Sequence, residues 1–409
     1  MPEVKPEIQT IAKIKVIGIG GGGGAAINRM IQARVKGVEF IVVNTDLQAL
    51  QTNLSNTRFH IGKSTTRGLG SGMNPSIGRK AAEESQNDLR EMLKGADMVF
   101  ITFGAGGGTG TGAGPKVAEI AKELGALTIA VVTKPFSFEG GPRRSVAEEG
   151  LNELASKVDT LITIPNDRIW QIIDKKTPLL DAFAVVDEVL RQGVQGISEL
   201  ITLPGLINVD FADVKTIMEN SGSALMGMGE ATGDNRAIEA AKAAISSPLL
   251  ELSIEGAKGI LFTITGGPDI TMYEVSEAAK AITESVDNDA RIIFGAVVDE
   301  NLKDTIKITV VATGFDDIAT KNHLLRVQPK GTPSYFSAPT QTEQPEIPED
   351  KFEKPQFDAK QLEQDTLAPA PEDPDKIRPE DVMVPVEDTT SDGDDKDLDI
   401  PAFIRRKMM

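Results

Sequence analysis

MVFITFGAGGGTGTG, residues Met98 to Gly112, decides how the rest of the chain is read. Apolar residues dominate Met98 to Phe103, the next nine residues contain six glycines, and a helical pattern starts after Gly114. A buried strand that empties into a glycine loop and then a helix brings backbone N–H groups and the positive helix end to one point. That is an anion site. The same grammar recurs nearer the start, where KIKVIGI (Lys13 to Ile19) is followed by Gly20 to Gly24 and a helical pattern from Ala25 to Val35. Gly18, Gly20 and Gly23 also satisfy G-x-G-x-x-G, with Asp46 about where a ribose-binding acid belongs. Alone, that first loop reads as a dinucleotide motif or as a ligand-free turn. Two such loops at the carboxyl ends of strands in one sheet describe a phosphate cradle closed from both sides.

Working outward, FIVVNT, LTIAVVT (Leu127 to Thr133) and TLITI (Thr160 to Ile164) are further near-continuous apolar strands between helical patterns. They predict a Rossmann-like parallel sheet covered on both faces, an α/β class fold. From Thr177 to Ile201 the spacing of Leu180, Phe183, Val186, Leu190, Val194, Ile197 and Leu200 predicts one long helix. After LPGL, strands AKGILFTIT, RIIFGAVV and TIKITVVAT are separated by helices Asp234 to Ile245 and Met272 to Ser285, a second, smaller α/β domain hung on that helix. The expected organisation is a flexible 1–12, a nucleotide-binding domain 13–176, a central helix 177–201, a C-terminal domain 202–315, a disordered linker 316–396 and a terminal peptide 397–409.

The linker follows from charge. Residues 331–399 hold 20 acidic and 6 basic side chains and ten of the 23 prolines, too little apolar surface to offset ordering. The last thirteen residues then restore Leu398, Ile400, Phe403 and Ile404 ahead of Arg405, Arg406 and Lys407, which reads as a recognition peptide on a tether or as a greasy frayed end. The whole chain of 409 residues carries a net charge of −18, a poor match to nucleic acid or anionic lipid. No cysteine is present and the two histidines, His60 and His323, are far apart, which excludes thiolate chemistry and argues against a His-ligated metal. There is no apolar run of membrane-spanning length, and MPEVKPEIQT resembles neither a signal nor a transit peptide, so a soluble cytoplasmic protein is expected. Gly62-Lys63-Ser64 mimics the end of a P-loop, but Thr57 stands where its first glycine is required.

GGGTGTG (Gly106 to Gly112), with Thr109 at its centre, resembles the signature of the tubulin/FtsZ family. The similarity is closest to its bacterial cell-division branch and runs from Lys13 to Phe315. It includes VNTD (Val43 to Asp46), RGLGSGMNP (Arg67 to Pro75), PFSFEG (Pro135 to Gly140), IPNDRI (Ile164 to Ile169), LRQGVQGISELI (Leu190 to Ile201) and NVDFADVKTIM (Asn208 to Met218). DIPAFIRR resembles the family's terminal peptide.

The resemblance implies a GTP/GDP site. Gly20, Gly21, Gly22, Gly23 and Gly24, Ser71 and Gly72, and Gly107, Gly108, Thr109 and Gly110 would line the phosphates. Glu139 and Arg143 would hold the ribose and phosphate side, and Asn166, Phe183 and Asp187 would face guanine. A carboxylate suits the N1–H and N2–H donors of guanine, whereas adenine offers no such pair. Phe183 also lies on the apolar stripe of the long helix, so burial in the core is an equal reading, and a solvated basic turn is the alternative for Arg143. Ala25 departs from the family, which usually has Asn there, and removes an amide that could bind nucleotide. Mg²⁺ would be held through the phosphates, with no metal ligand assigned in the chain.

Hydrolysis needs a group to orient water, and the glycine loops supply none. Asn208, Asp210 and Asp213 supply it, but a helix from Thr177 to Ile201 is about 37 Å long, so they cannot reach their own subunit's nucleotide. The resemblance implies that the neighbour's site is completed instead, head to tail, in a homopolymer. Asp210 is also a good N-cap for a helix starting near Phe211. The expectation is a filament-forming GTPase of bacterial cell division, acting in a division ring beneath the inner membrane and bound to a membrane adaptor through Asp397 to Met409. A nicotinamide-dependent oxidoreductase and a non-hydrolysing polymer are the alternatives.

Overall fold

The computed structural model describes residues 12–315, apart from 172, 174–175, 203–204, 251–252, 288 and 301. The acidic linker and terminal peptide lie outside the described residues, as do residues 1–11. The first half alternates strand and helix: β1 (Ile14–Ile19), α1 (Gly20–Gln32), β2 (Val38–Asn44), α2 (Leu47–Gln51), β3 (Thr57–His60), then α3 (Lys63–Thr66), α4 (Pro75–Glu84) and α5 (Gln86–Leu93). It continues with β4 (Met98–Gly104), α6 (Thr109–Glu123), β5 (Leu127–Lys134), α7 (Gly141–Ala155) and β6 (Thr160–Pro165). The helix α8 (Leu179–Thr202) leads to α9 (Phe211–Met218), β7 (Gly222–Thr232), α10 (Arg236–Ile245), β8 (Gly259–Gly266), α11 (Met272–Thr283), β9 (Arg291–Val298) and β10 (Thr305–Thr313).

The strands form one ten-stranded sheet in the order β3-β2-β1-β4-β5-β6-β7-β10-β8-β9. Its first six are parallel and run 3-2-1-4-5-6, so the order reverses between β1 and β4. Ligands of open α/β sheets bind at such a reversal, beyond the carboxyl ends of the strands. Both glycine loops leave the two strands that flank it. Ile17, Ile41 and Ile101 bury one face of this half under α4 to α7, while Val16, Phe100 and Ile129 bury the other against α1 and α8.

The second α/β unit is present, but it extends the sheet rather than hanging from α8 alone. β7 begins parallel to β6 and then pairs antiparallel with β10, carrying the ladder across. Its sequence hides it, because GSALMGMGEAT lacks a bulky run. A Cβ on Gly227 would sit 2.1 Å from the Ala244 carbonyl, and one on Gly229 equally close to that of Ala240. Those glycines admit α10 onto the strand, a close approach that glycine in a strand often marks.

Both glycine-loop helices start earlier than the periodicity predicts. α1 begins at Gly20 rather than Ala25 and α6 at Thr109 rather than after Gly114. Gly110 and Gly114 lie on Phe103, and Gly112 lies on the backbone of Pro75 in α4, each with no room for a Cβ. Part of that glycine density therefore serves packing.

Candidate functional site

The two loops meet. Gly20 has φ +72°, and a Cβ there would stand 3.2 Å from the Gly110 nitrogen. Gly18 and Gly23 are packed against each other and against the Thr102 carbonyl, so they fix the strand–helix turn. Gly21 and Gly22 face outward and exposed, while Gly24 is buried beside Asn53. On the other side Gly107 has open space around it apart from the Gly104 carbonyl, and Gly108 lies against Ser71 Oγ and Asn74. Thr109 Oγ1 ties three loops together, 2.9 Å from Ser71 Oγ and 2.7 Å from Thr45 Oγ1. Gly72 has φ +57°, is exposed, and has nothing within 4 Å of where a Cβ would lie, so the Arg67–Asn74 loop also turns a bare backbone to solvent.

No side chain caps either α1 or α6. Their first-turn N–H groups, which no helix bonds internally, are therefore not satisfied by a cap either, and an anion is what such a pair of helix ends accommodates. The P-loop mimic shows the opposite state. Glu84 reaches from α4 to the start of α3 and accepts from the Ser64 and Thr65 nitrogens at 2.8 and 3.1 Å. Those backbone and hydroxyl donors hold its carboxyl down to about 2. That helix end is already filled by a carboxylate of the same chain. Asp46 is likewise spent, accepting from Gln48 and Ala49 as the N-cap of α2.

Beyond β5, Arg143 packs its backbone onto Gly106, where φ is +89°. Its Nε approaches Glu139 Oε2 at 3.1 Å, yet the N–H does not lie along that line and makes no hydrogen bond. Glu139 Oε1 accepts from the Phe136 nitrogen at 2.8 Å, which fixes the turn. Arg143 thus stands at the cradle's rim with a donor to spare, rather than as a solvated basic turn; the neighbouring Arg144 is the exposed one, held by Ser137 and Asp167.

The first turns of α8 and the residues around them are aromatic and acidic. Phe183 is 42% exposed, although Val186, Leu190, Val194, Ile197 and Leu200 of the same stripe are buried. Its ring meets Phe136 edge-on with centroids 5.8 Å apart, and Phe136 also contacts Phe138 and Trp170. One turn on, Asp187 is pushed up to about 6 by burial, with the Arg29 charge working in the opposite direction. Asn166, at the end of β6, buries its side-chain Oδ1 without a hydrogen-bond partner. A buried acceptor left empty and a desolvated carboxylate both fit a base carrying several N–H donors. Ala25 is exposed on α1, in the second turn after the glycines.

The three hydrolytic candidates stand elsewhere. Asn208 Oδ1 accepts from the Gly205 nitrogen at 2.6 Å, and Asp210 Oδ1 accepts from the Asp213 nitrogen at 2.8 Å as the N-cap of α9. Asp213 is exposed, and its carboxylate makes no hydrogen bond or ion pair with the described residues. Asp187 sits about two turns into the 24-residue α8, so about 22 Å of helix still separates it from these groups. Sequence reasoning missed Thr45, Phe136, Phe138 and Trp170. Each lies within or just beyond a recognised motif, but nothing in its own residue type singles it out.

Residues 13–174 match the tubulin/FtsZ family, GTPase domain, and residues 222–316 match the FtsZ family, C-terminal domain. An FtsZ dimer from M. jannaschii, described as empty, is 48% identical over 75% of this chain and 89% of its own, with a TM-score of 0.72. This chain belongs to the tubulin/FtsZ family. A tryptophan-to-tyrosine mutant of the M. jannaschii protein gives the same identity at a TM-score of 0.73, covering 75% of this chain and 92% of that one. A GTPγS-bound CetZ2 protofilament from Haloferax volcanii, at 20% identity and a TM-score of 0.65 over 77% and 97% of the two chains, shares the fold. Membership makes this chain a GTP-dependent, polymer-forming cytoskeletal GTPase, and the nicotinamide reading loses its ground. Among the described residues no helix is long and apolar enough to cross a membrane, and no three His, Asp or Glu side chains are grouped to hold a metal.

Proposed function

We propose that this GTPase hydrolyses nucleotide at head-to-tail junctions, in a division ring that drives septation of a bacterial cell. The observation that carries the reading is the separation of the two halves of one site within a single chain. The glycine loops and the Phe183–Asp187 stretch proposed to take the nucleotide precede most of α8, and the Asp213 carboxylate, exposed and without a partner among the described residues, lies beyond its end. The backbone N–H groups of the two glycine loops would bind the phosphates and hold the charge that develops on them. Ser71 and Gly72 would close the cradle, with Glu139 and Arg143 on the ribose side. Phe183 would stack on guanine, while Asp187 and Asn166 accept its N–H donors. Mg²⁺ would be held through the phosphates, where its positive charge would offset part of theirs. In the neighbouring subunit Asp210 and Asp213 would polarise the attacking water, with Asn208 helping to position it. We retain 13–176, 177–201 and 202–315 as the functional divisions. The adaptor-binding role of Asp397 to Met409 and a cytoplasmic site beneath the inner membrane belong to the same proposal.

The test is sedimentation of the full chain with GTP, with GDP and without nucleotide, with phosphate release followed in parallel. Pelleting with GTP alone, and turnover that appears only above the concentration at which polymer forms, is the expected result. Turnover per molecule that is constant from far below that concentration would remove the shared site.

A further inference from the structure

A cleft of about 500 Å³ opens where the described chain ends. Ile217 of α9 and Ala257, both buried, form part of its lining, together with Thr313 and Gly314, the last residues of β10 and the turn after it. A smaller hollow of about 270 Å³ adjoins it through Asp287. The charges around the two are sorted. Lys258 and Arg291 line the first, and Lys258 packs directly beside Gly314, where a Cβ would lie 3.0 Å from the lysine Cβ. Glu255, Asp287 and Asp289 stand around the second hollow and the near edge of the first. All three are exposed, and none forms a salt bridge with the described residues.

The sequence that follows is sorted the same way. DDIATKNHLLRVQPK, residues 316–330, opens with two acids and continues with Lys321, Arg326 and Lys330. It carries Ile318, Leu324, Leu325 and Val327, and its net charge is +1, against −14 for residues 331–399. Ile318 is four residues from Gly314, so the chain reaches at most about 14 Å and stays over the cleft. Tethering at the cleft's own edge supplies a high effective concentration. We propose that residues 316–330 of this chain dock in this cleft, with Asp316 and Asp317 toward Lys258 and Arg291 and the basic side chains toward Glu255, Asp287 and Asp289. The free tether then begins at Gly331, where the acidic, proline-rich composition begins. This inference is independent of how the nucleotide site is completed.

Hydrogen exchange on the full chain and on chains ending at Phe315 and at Lys330 tests it. Amides of 257–260 and 290–292 should exchange about tenfold faster in the chain ending at Phe315 and stay protected in the one ending at Lys330. Because the shorter chain could be generally destabilised, the second arm keeps full length. Lys321→Glu with Arg326→Glu should release the same amides, and adding Glu255→Lys with Asp289→Lys should restore them. Equal exchange in the two truncated chains, protection that rises with protein concentration, or failure of the charge swap to restore protection would each overturn the proposal. The second of these outcomes would give the cleft to another copy of the chain.

Discussion

α8 carries carboxylates to both of its ends, and they live under opposite conditions. At the start, Asp187 is largely buried, its pKa lifted to about 6 because the charged form has lost water. Past the end, Asp213 is exposed and its carboxylate has no partner among the described residues, while Asp210 spends one oxygen on the α9 backbone. A desolvated acid is expensive to keep unless a ligand supplies donors, so the burial of Asp187 supports the proposed base contact. An exposed, unpaired acid describes nothing until another surface arrives. On the proposed reading, one half of the site is therefore visible in a single subunit and the other half is not.

The largest expected effect breaks the comparison at its far end. Asp213→Ala should lower GTP turnover by about 10²–10⁴-fold, the range for a positioned acid or base, while nucleotide binding by the monomer is nearly unchanged. Asp213 is the cleaner target, since Asp210→Ala also removes a helix cap worth about 1 kcal/mol. Mixing the Asp213 variant with Asp187→Ala should recover part of the activity at junctions that pair one intact half from each. A monomer that loses GTP affinity through Asp213→Ala while turning over normally per bound nucleotide would place the acid in its own subunit's site.

A smaller effect sharpens the near end. The folded-state pKa of Asp187 lies above its unfolded value, so between about pH 4 and 6 the unfolded chain ionises first and the stability of the free protein falls as pH rises. Asp187→Asn removes that penalty, and the nucleotide-free variant should melt a few degrees higher at pH 7.5. Guanine affinity should move the other way. In the parent it should rise as pH climbs through about 6 and the acceptor forms; in the variant it should be weak and flat with pH. A stabilised variant that binds GTP as tightly as the parent would show that Asp187 does not face the base.

The same contrast explains what the sequence made legible. Strands β1, β4 and β5 are near-continuously apolar, and the loops after β1 and β4 hold glycine where the backbone must turn or approach, so sheet, reversal point and the proposed cradle follow from residue type. β7 did not, because its glycines exist to admit α10 and erase the apolar run that would announce a strand. Glycine counting also overstated the cradle, since Gly110 and Gly112 are required by Phe103 and Pro75 whether or not a phosphate binds. Phe183 was undecidable from spacing alone, because it sits on a buried stripe and only the three-dimensional arrangement turns it out beside Phe136. Trp170 and Phe138 join that cluster from separate turns, a meeting no local pattern records.

The smallest effect concerns Ala25, where two terms of similar size oppose each other. It stands in α1 beyond the cradle glycines and is exposed, so Asn there meets no steric barrier visible in its burial. Alanine is the best helix former, and Asn costs about 0.5–0.7 kcal/mol in a helix interior. An amide that reaches the ligand returns about 0.5–1.5 kcal/mol as one hydrogen bond. Ala25→Asn should therefore lower the melting temperature slightly without nucleotide while tightening GTP binding about two- to tenfold, so that the GTP-induced thermal shift grows. The two readings separate the terms, because a helix penalty acts with or without ligand and a new hydrogen bond acts only with it. A lower melting temperature with an unchanged thermal shift would mean that α1 turns residue 25 away from the nucleotide, and that the missing amide costs this chain nothing.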